Sequence, residues 1–276
     1  MSNPVLMAGR TAVVTGAASG IGLAACKRFA SLGMRVCLAD LPGAALDAAR
    51  DAVAGLARSG GRDVLSVATD VGVRAEIDNL KEAVYAEFGE VGLLMNNAAT
   101  RRGGGPLADP ENWRHTMDVN LFGVIGGVQA FVPAMLAQGT PCMVVNTGSK
   151  QGITNPPGNT AYNVSKAALK AYTEGLQHEL RNRQDCRVTA HLLVPGWTTT
   201  GGKPHQRGAW LPDQVIDLLL TALERGDFYI VCPDDEVTPA IDRKRILWAA
   251  GDIVDNRPAL SRWHPDFATE FEKFTV

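Results

Sequence analysis

Thr15-Gly16-Ala17-Ala18-Ser19-Gly20-Ile21-Gly22 decides the reading of this chain. Before it runs the apolar, largely β-branched stretch Thr11 to Thr15 (TAVVT). After it, Gly20 to Leu32 carries Ile21, Ala24, Ala25 and Phe29 on one side at helical spacing. Strand, glycine turn and helix therefore follow without a spacer. Glycines at such a turn let the backbone bend sharply and approach a ligand with no Cβ between them. The helix start beyond offers unpaired N–H groups and a positive dipole end, a ready site for a pyrophosphate. Three glycines alone would mark any turn; this context points to a phosphate loop.

Outward from that loop the alternation repeats. Gly33 ends the first helix, Arg35 to Ala39 reads as a second strand, and Leu41 to Ser59 as an alanine-rich helix stopped by Gly60 and Gly61. Strands are expected at Val64 to Ala68, Gly92 to Asn96, Met143 to Asn146, Arg187 to Val194 and Phe228 to Val231. Helices are expected near Val73 to Phe88, Trp113 to Ala137, Ala161 to Asn182 and Asp213 to Glu224. Short apolar strands separated by long helices imply an α/β protein, a doubly wound parallel sheet with helices on both faces. A glycine-rich loop, Thr198 to Gly208, precedes the last of those helices. The acidic run Pro233-Asp234-Asp235-Glu236 marks a boundary, giving a catalytic domain over 1–234 and a C-terminal extension over 235–276. That extension holds Trp248, Trp263, Phe267, Phe271 and Phe274, too many aromatics for a disordered tail, so it is expected to pack on the body or on a neighbouring subunit.

Composition bounds the function. The 276 residues are 46% hydrophobic and 20% charged with a net charge of −2, which gives no global field for nucleic acid or an anionic membrane. Five scattered cysteines (Cys26, Cys37, Cys142, Cys186, Cys232) include no CxxC pair and suit a reducing cytosol. No uninterrupted apolar run approaches the ~20 residues of a spanning helix, so a cytoplasmic protein is expected, without membrane or nucleic-acid partners. His205 has no second His or Cys at ligand spacing, so no metal site is expected.

Asp40 closes the second strand, 18 residues after Gly22. A carboxylate there can accept hydrogen bonds from adenosine ribose hydroxyls and would repel a 2′-phosphate. One charge pair at ~4 Å is worth roughly 4 kcal/mol at an effective dielectric near 20. With Leu41 and Pro42 following it, and no Arg or Lys in the turn, the reading favours NAD over NADP. The alternative is a helix N-cap carboxylate before Pro42. Asp70-Val71 and Asn97-Ala98 end the third and fourth strand regions, where ligands of such sheets lie; each also reads as a capped turn.

Tyr162 and Lys166 stand four residues apart on an expected helix and share a face. Ser149 lies thirteen residues before the tyrosine, just past a strand. A phenol ionises near pH 10 in water, and a neighbouring ammonium favours its phenolate form. Taken alone, the pair reads more simply as an amphipathic tyrosine beside a solvated lysine.

Together, however, Thr15 to Gly22, Asp70, Asn97-Ala98-Ala99, Asn120, Ser149, Tyr162-Asn163-Val164-Ser165-Lys166 and Pro195-Gly196 resemble the short-chain dehydrogenase/reductase family over roughly residues 8 to 232. The resemblance implies a Rossmann-type fold and hydride transfer between NAD and an alcohol or carbonyl. It assigns Tyr162 the general acid/base role, Ser149 orientation of the substrate oxygen, and Lys166 both the nicotinamide ribose and the tyrosine. Asn120 would support a water linking Lys166 to solvent. Gly16, Ser19, Gly20, Ile21, Gly22, Asp40, Asp70, Val71, Asn97 and Ala98 would line the cofactor, with Pro195, Gly196, Thr198 and Thr200 at its nicotinamide end. A homodimer or homotetramer through the two long helices is also implied. Ala99 departs from the family's usual glycine, and the extension has no counterpart in its core. An NADP-dependent carbonyl reductase, or a non-catalytic NAD-binding sensor or scaffold, are the other readings. Substrate choice is expected to rest on Lys150, Gln151, Asn155, Trp197, His205 and Trp210, with Arg101 and Arg102 able to meet an acidic substrate and Trp263-His264-Pro265 able to cap a pocket.

Overall fold

The computed structural model describes residues 3–201 and 204–276. Two positions of the 198–208 loop, Gly202 and Lys203, thus lie outside the described residues. The chain alternates β1 (Thr11–Thr15), α1 (Gly20–Ser31), β2 (Arg35–Asp40), α2 (Ala44–Ala54), β3 (Val64–Ala68), α3 (Arg74–Phe88) and β4 (Leu93–Asn96). It continues through α4 (Pro110–Met117), α5 (Gly123–Ala137), β5 (Cys142–Thr147), α6 (Gln151–Thr154), α7 (Thr160–Asn182), β6 (Val188–Val194), α8 (Pro212–Arg225) and β7 (Tyr229–Val231). The strands form one parallel sheet in the order β3-β2-β1-β4-β5-β6-β7. The doubly wound sheet is as the sequence implies. Chain order reverses between β1 and β4, and that switch point fixes where a ligand cleft can open.

The strands read as continuous apolar runs because both faces are covered. Successive residues point to opposite sides, so Ala12, Val14, Val36 and Leu38 join the core under α1, α2 and α8, whereas Val13, Cys37 and Ala39 join the core under α3, α5 and α7. A single-residue slip in β1 would exchange the two sets. Phe29 anchors the first core and Phe131 the second, each fully buried.

Three expectations need correction. The second helix is shorter than Leu41 to Ser59, since the chain bends at Pro42-Gly43, where Gly43 has φ +144, and α2 ends at Ala54. The long helix near Trp113 to Ala137 begins at Pro110 and contains a π-helical turn, Asp118–Phe122, between α4 and α5. Pro110–Ala137 is also long and apolar enough by composition to cross a membrane, its most apolar 18-residue window having a mean hydropathy of 1.7, although uninterrupted run length does not show it. Within the fold, 56% of that window is buried.

Beyond β7 the chain forms α9 (Pro239–Val254) and α10 (Ala268–Lys273). Thr238 caps α9 through its hydroxyl, and Pro239 takes the first helical position, where its missing N–H costs nothing. Trp248 is buried, donating to Ser261 Oγ at 2.7 Å and packed by the rings of Phe271 and Phe274 and by the Arg257 guanidinium.

Candidate active site

At the carboxyl ends of the central strands lies a cleft of about 490 Å³. The glycine turn forms one wall. Gly16 has φ +67, and a Cβ on it would stand 2.7 Å from the Ala98 backbone, so only glycine lets β4's exit segment come this close. Gly22 does not line the cleft. A Cβ there would lie 2.1 Å from the Gly16 carbonyl and 2.7 Å from Asn97 Nδ2, so its role is to seat α1 against the turn. Thr15 Oγ1 accepts the N–H groups of Asn97 and Ala98, while Asn97 Nδ2 donates to the Thr15 and Gly16 carbonyls. Asn97 therefore braces the turn as well as lining the cleft. Ser19, Gly20 and Ile21 border the space, and Ser19 gives α1 no side-chain cap, leaving the first helical N–H groups open.

Asp40 lies at the cleft edge, where its carboxylate accepts N–H from Ala18 at 2.8 Å and from Leu41 at 2.8 Å. The N-cap of α2 is Gly43, so the N-cap reading of Asp40 does not hold. Asp70 and Val71 also border the cleft. Asp70 caps its own turn through Gly72 N–H, so both readings of it apply.

Ser149, Tyr162 and Lys166 open onto the same cleft from the other side of the switch point. The amphipathic helix α7 carries the last two on one face, and Lys166 is 2% exposed. Its ammonium donates to the Thr147 carbonyl at 2.7 Å and stands 5.9 Å from the Tyr162 ring centroid. A solvated lysine is thereby excluded. Burial, followed by the charge of Arg101, pushes the Lys166 ammonium down to about 7. Pro195, Gly196, Thr198 and Thr200 complete the wall, with Thr200 packed against Gly20.

Asn120 sits behind this surface in the π-helical turn, fully buried. Its Oδ1 accepts Thr100 N–H at 2.7 Å, and its Nδ2 donates to Thr100 O and Ser165 Oγ. The side-chain amide is thus committed to protein partners, and a water on the way to Lys166 would need another of its groups.

Of the residues expected to choose substrate, Arg101 alone borders the cleft. Lys150 turns away from it. Its ammonium pairs with Asp242 of α9 at 2.6 Å and with Asp234 at 3.6 Å. Asp234 Oδ2 also accepts Trp197 N–H at 3.0 Å, which ties the Pro195-Gly196-Trp197 turn to the same cluster. Asn155 accepts a bond from Asn163, Trp210 packs on the core, and Gln151, Trp197, His205, Arg102 and Trp263-His264-Pro265 stand outside the lining. Sequence reasoning missed Thr100, His115, Val119 and Thr147, which do line it. Thr147 acts through its carbonyl, and a backbone role leaves no mark in residue identity.

The profile of the short chain dehydrogenases matches residues 10–208. The chain belongs to that family. It is 31% identical over 274 residues to 1-deoxy-11-beta-hydroxypentalenate dehydrogenase of Streptomyces exfoliatus, covering 94% of this chain and 96% of that protein. A family member from Burkholderia phymatum, solved in complex with NAD, superposes with a TM-score of 0.81 at 32% identity, over 91% of this chain and 96% of that one. A metagenomic short-chain oxidoreductase in complex with NADP superposes at 0.69 with 30% identity, over 82% and 98%. The chain is therefore an oxidoreductase whose fold serves nicotinamide dinucleotides.

Lys166 gives this dehydrogenase a pH signature when no cofactor is bound. In the unfolded chain the lysine holds its proton up to about 10.5; in the folded chain it releases it near 7. Between those values the unfolded state binds more protons, so stability rises with pH. The Tm difference between wild type and Lys166→Met should therefore shift in favour of wild type by a few degrees from about pH 7 to about pH 9. A flat or falling difference in calorimetry would refute the assignment.

Proposed function

We propose that the protein is an NAD-dependent oxidoreductase interconverting an alcohol and a carbonyl, with Tyr162 as the general acid/base. The carrying observation is that Ser149, Tyr162 and Lys166 share one cleft with the open start of α1 and the Asp40 carboxylate. The residues fit the dinucleotide: a turn with no room for a Cβ at Gly16, uncapped N–H groups for the pyrophosphate, and a carboxylate for ribose hydroxyls. Gly20, Ile21, Asp70, Val71, Ala98, Thr198 and Thr200 would complete its bed. When bound, NAD supplies the hydride chemistry.

The protein's own groups handle the proton. In oxidation Tyr162 Oη takes the proton of the substrate hydroxyl; in reduction it returns one to the forming alcohol. Ser149 donates a hydrogen bond to the same oxygen and fixes its position. Lys166 holds positive charge beside the phenol and reaches the cofactor ribose. Asn120 keeps the β4 exit segment against α7, so that these groups stay in register.

Residues 1–234 form the catalytic unit in this reading, and 235–276 an extension docked on it through Lys150 and Asp242. A homodimer or homotetramer through α4–α5 and α7 is supported by Phe122 and Val164, apolar residues exposed on those helices. The free thiols Cys26, Cys37, Cys142, Cys186 and Cys232 suit a cytoplasmic setting.

Cofactor choice tests the reading at Asp40. With a panel of secondary alcohols and absorbance at the reduced-nicotinamide band, wild type should use NAD at least tenfold better than NADP in kcat/KM, by about the repulsion of one screened charge. Asp40→Ala should narrow that ratio severalfold. Equal use of both cofactors by the native protein would defeat the NAD assignment.

A further inference from the structure

We propose that the reactive end of the cleft takes an alcohol or ketone that also bears a carboxylate, with Arg101 as the group that binds it. This rests on the function proposed above and adds the class of substrate.

The first support is the distribution of charge along the cleft. Its acidic residues are Asp40, which closes β2, and Asp70, which follows β3. The sheet order places β1 and β4 between those strands and β5, which leads to Ser149. At the reactive end the charged and titratable lining residues are Arg101, Lys166, His115 and Tyr162, with no carboxylate among the described residues. That end is thus a concave surface of positive potential, which concentrates anions.

The second support is how the basic groups are engaged. Lys166 is committed to the Thr147 carbonyl, and Lys150, next to Ser149, to Asp234 and Asp242. Arg101 is exposed at the cleft mouth, and its guanidinium has neither an ion-pair nor a hydrogen-bond partner among the described residues. Yet it borders the cleft and stands 5.8 Å from the Tyr162 ring centroid. Its charge is also felt at Lys166. A carboxylate would replace water on it through two parallel N–H···O bonds, which a planar guanidinium provides and an ammonium does not.

The third support is placement. Arg101 follows Thr100, whose backbone is clamped at both N–H and C=O by the buried Asn120 amide. The segment that carries the arginine is therefore held against α7 rather than left loose. A substrate oxygen at Tyr162 and Ser149 would leave the remainder of the molecule beside that segment. The acid group then lies a few bonds from the reacting carbon, as in a hydroxy acid or its oxo counterpart.

The test uses the hydroxycyclohexanecarboxylates, each paired with its methyl ester, as substrates for the whole protein with NAD. Wild type should favour acid over ester by about tenfold in kcat/KM, through KM, and Arg101→Gln should bring the ratio near one. Arg101→Lys should restore only part of it, since the paired geometry is lost. A wild-type ratio near one, or a ratio undiminished in Arg101→Gln, would overturn the inference while leaving the oxidoreductase reading intact. A second arm is independent of turnover. Binding of cyclohexanecarboxylate and of its methyl ester to the protein–NADH complex is measured by calorimetry in wild type and Arg101→Gln. Preference for the acid that vanishes in the variant supports the inference, even if none of the alcohols reacts, and absence of any preference overturns it.

Discussion

Tyr162→Phe should lower turnover by about a thousandfold or more while NAD still binds. A positioned proton donor contributes roughly 10²–10⁴ in rate, and removing its oxygen leaves the substrate hydroxyl with no partner to take its proton. The ring itself stays. Tyr162 is 6% exposed and packs beside Arg101 and Lys166, contacts that phenylalanine can largely keep. Calorimetric titration with NAD separates the two effects, and stopped-flow absorbance reads the chemical step. Turnover near the wild-type rate would remove Tyr162 from its assigned role and leave the chain closer to a nucleotide-binding scaffold.

Gly22→Ala is the second large effect. The added methyl would meet the Gly16 carbonyl at 2.1 Å and Asn97 Nδ2 at 2.7 Å, and the first of these is backbone that cannot swing aside. Either α1 moves off the turn or the turn moves into the cleft. Overpacking of this kind costs about 1–3 kcal/mol, a loss of several degrees in Tm for a domain of this size. NAD affinity should fall further, by about a hundredfold, because the N–H groups proposed to receive the pyrophosphate belong to the displaced segment. Gly61→Ala is the control, since nothing lies within 4 Å of its added carbon. Equal Tm and equal NAD affinity in the two variants would show that the close packing at Gly22 is relaxed in solution.

The sequence carried most of the sheet because the central strands are short apolar runs, β1 above all, bounded by glycines or polar turns. Thr11 to Thr15 and Val64 to Ala68 are found at the expected positions. The α2 boundaries were less legible. Leu41 and the residues after Ala54 keep an apolar pattern, but Pro42-Gly43 and Gly55 interrupt the helix, and local backbone chemistry outweighs periodicity there. Helix α9 was legible in principle, since Thr238-Pro239 is a helix-start signal.

In the candidate site, residues with distinctive side-chain chemistry were visible and those acting through shape or backbone were not. Ser149, Tyr162, Lys166 and Asp40 all border the cleft. Gly22 and Asn120 proved to be supports one layer behind it. Lys150 was misread for a physical reason: adjacency to Ser149 in sequence says nothing of direction, and the β5–α6 turn aims its side chain the other way.

That same lysine makes the far end of the chain part of the reactive centre's upkeep. Lys150 is flanked by Ser149 on its own strand exit and balanced by carboxylates from Asp234 and Asp242. Exchanging residues 235–276 for those of a cousin would remove Asp242, the nearer of its two partners, and leave the buried ammonium with Asp234 alone, one residue from Ser149. Transplanted specificity would have to bring a matching Lys150 with it; donor and recipient are compatible only as a pair.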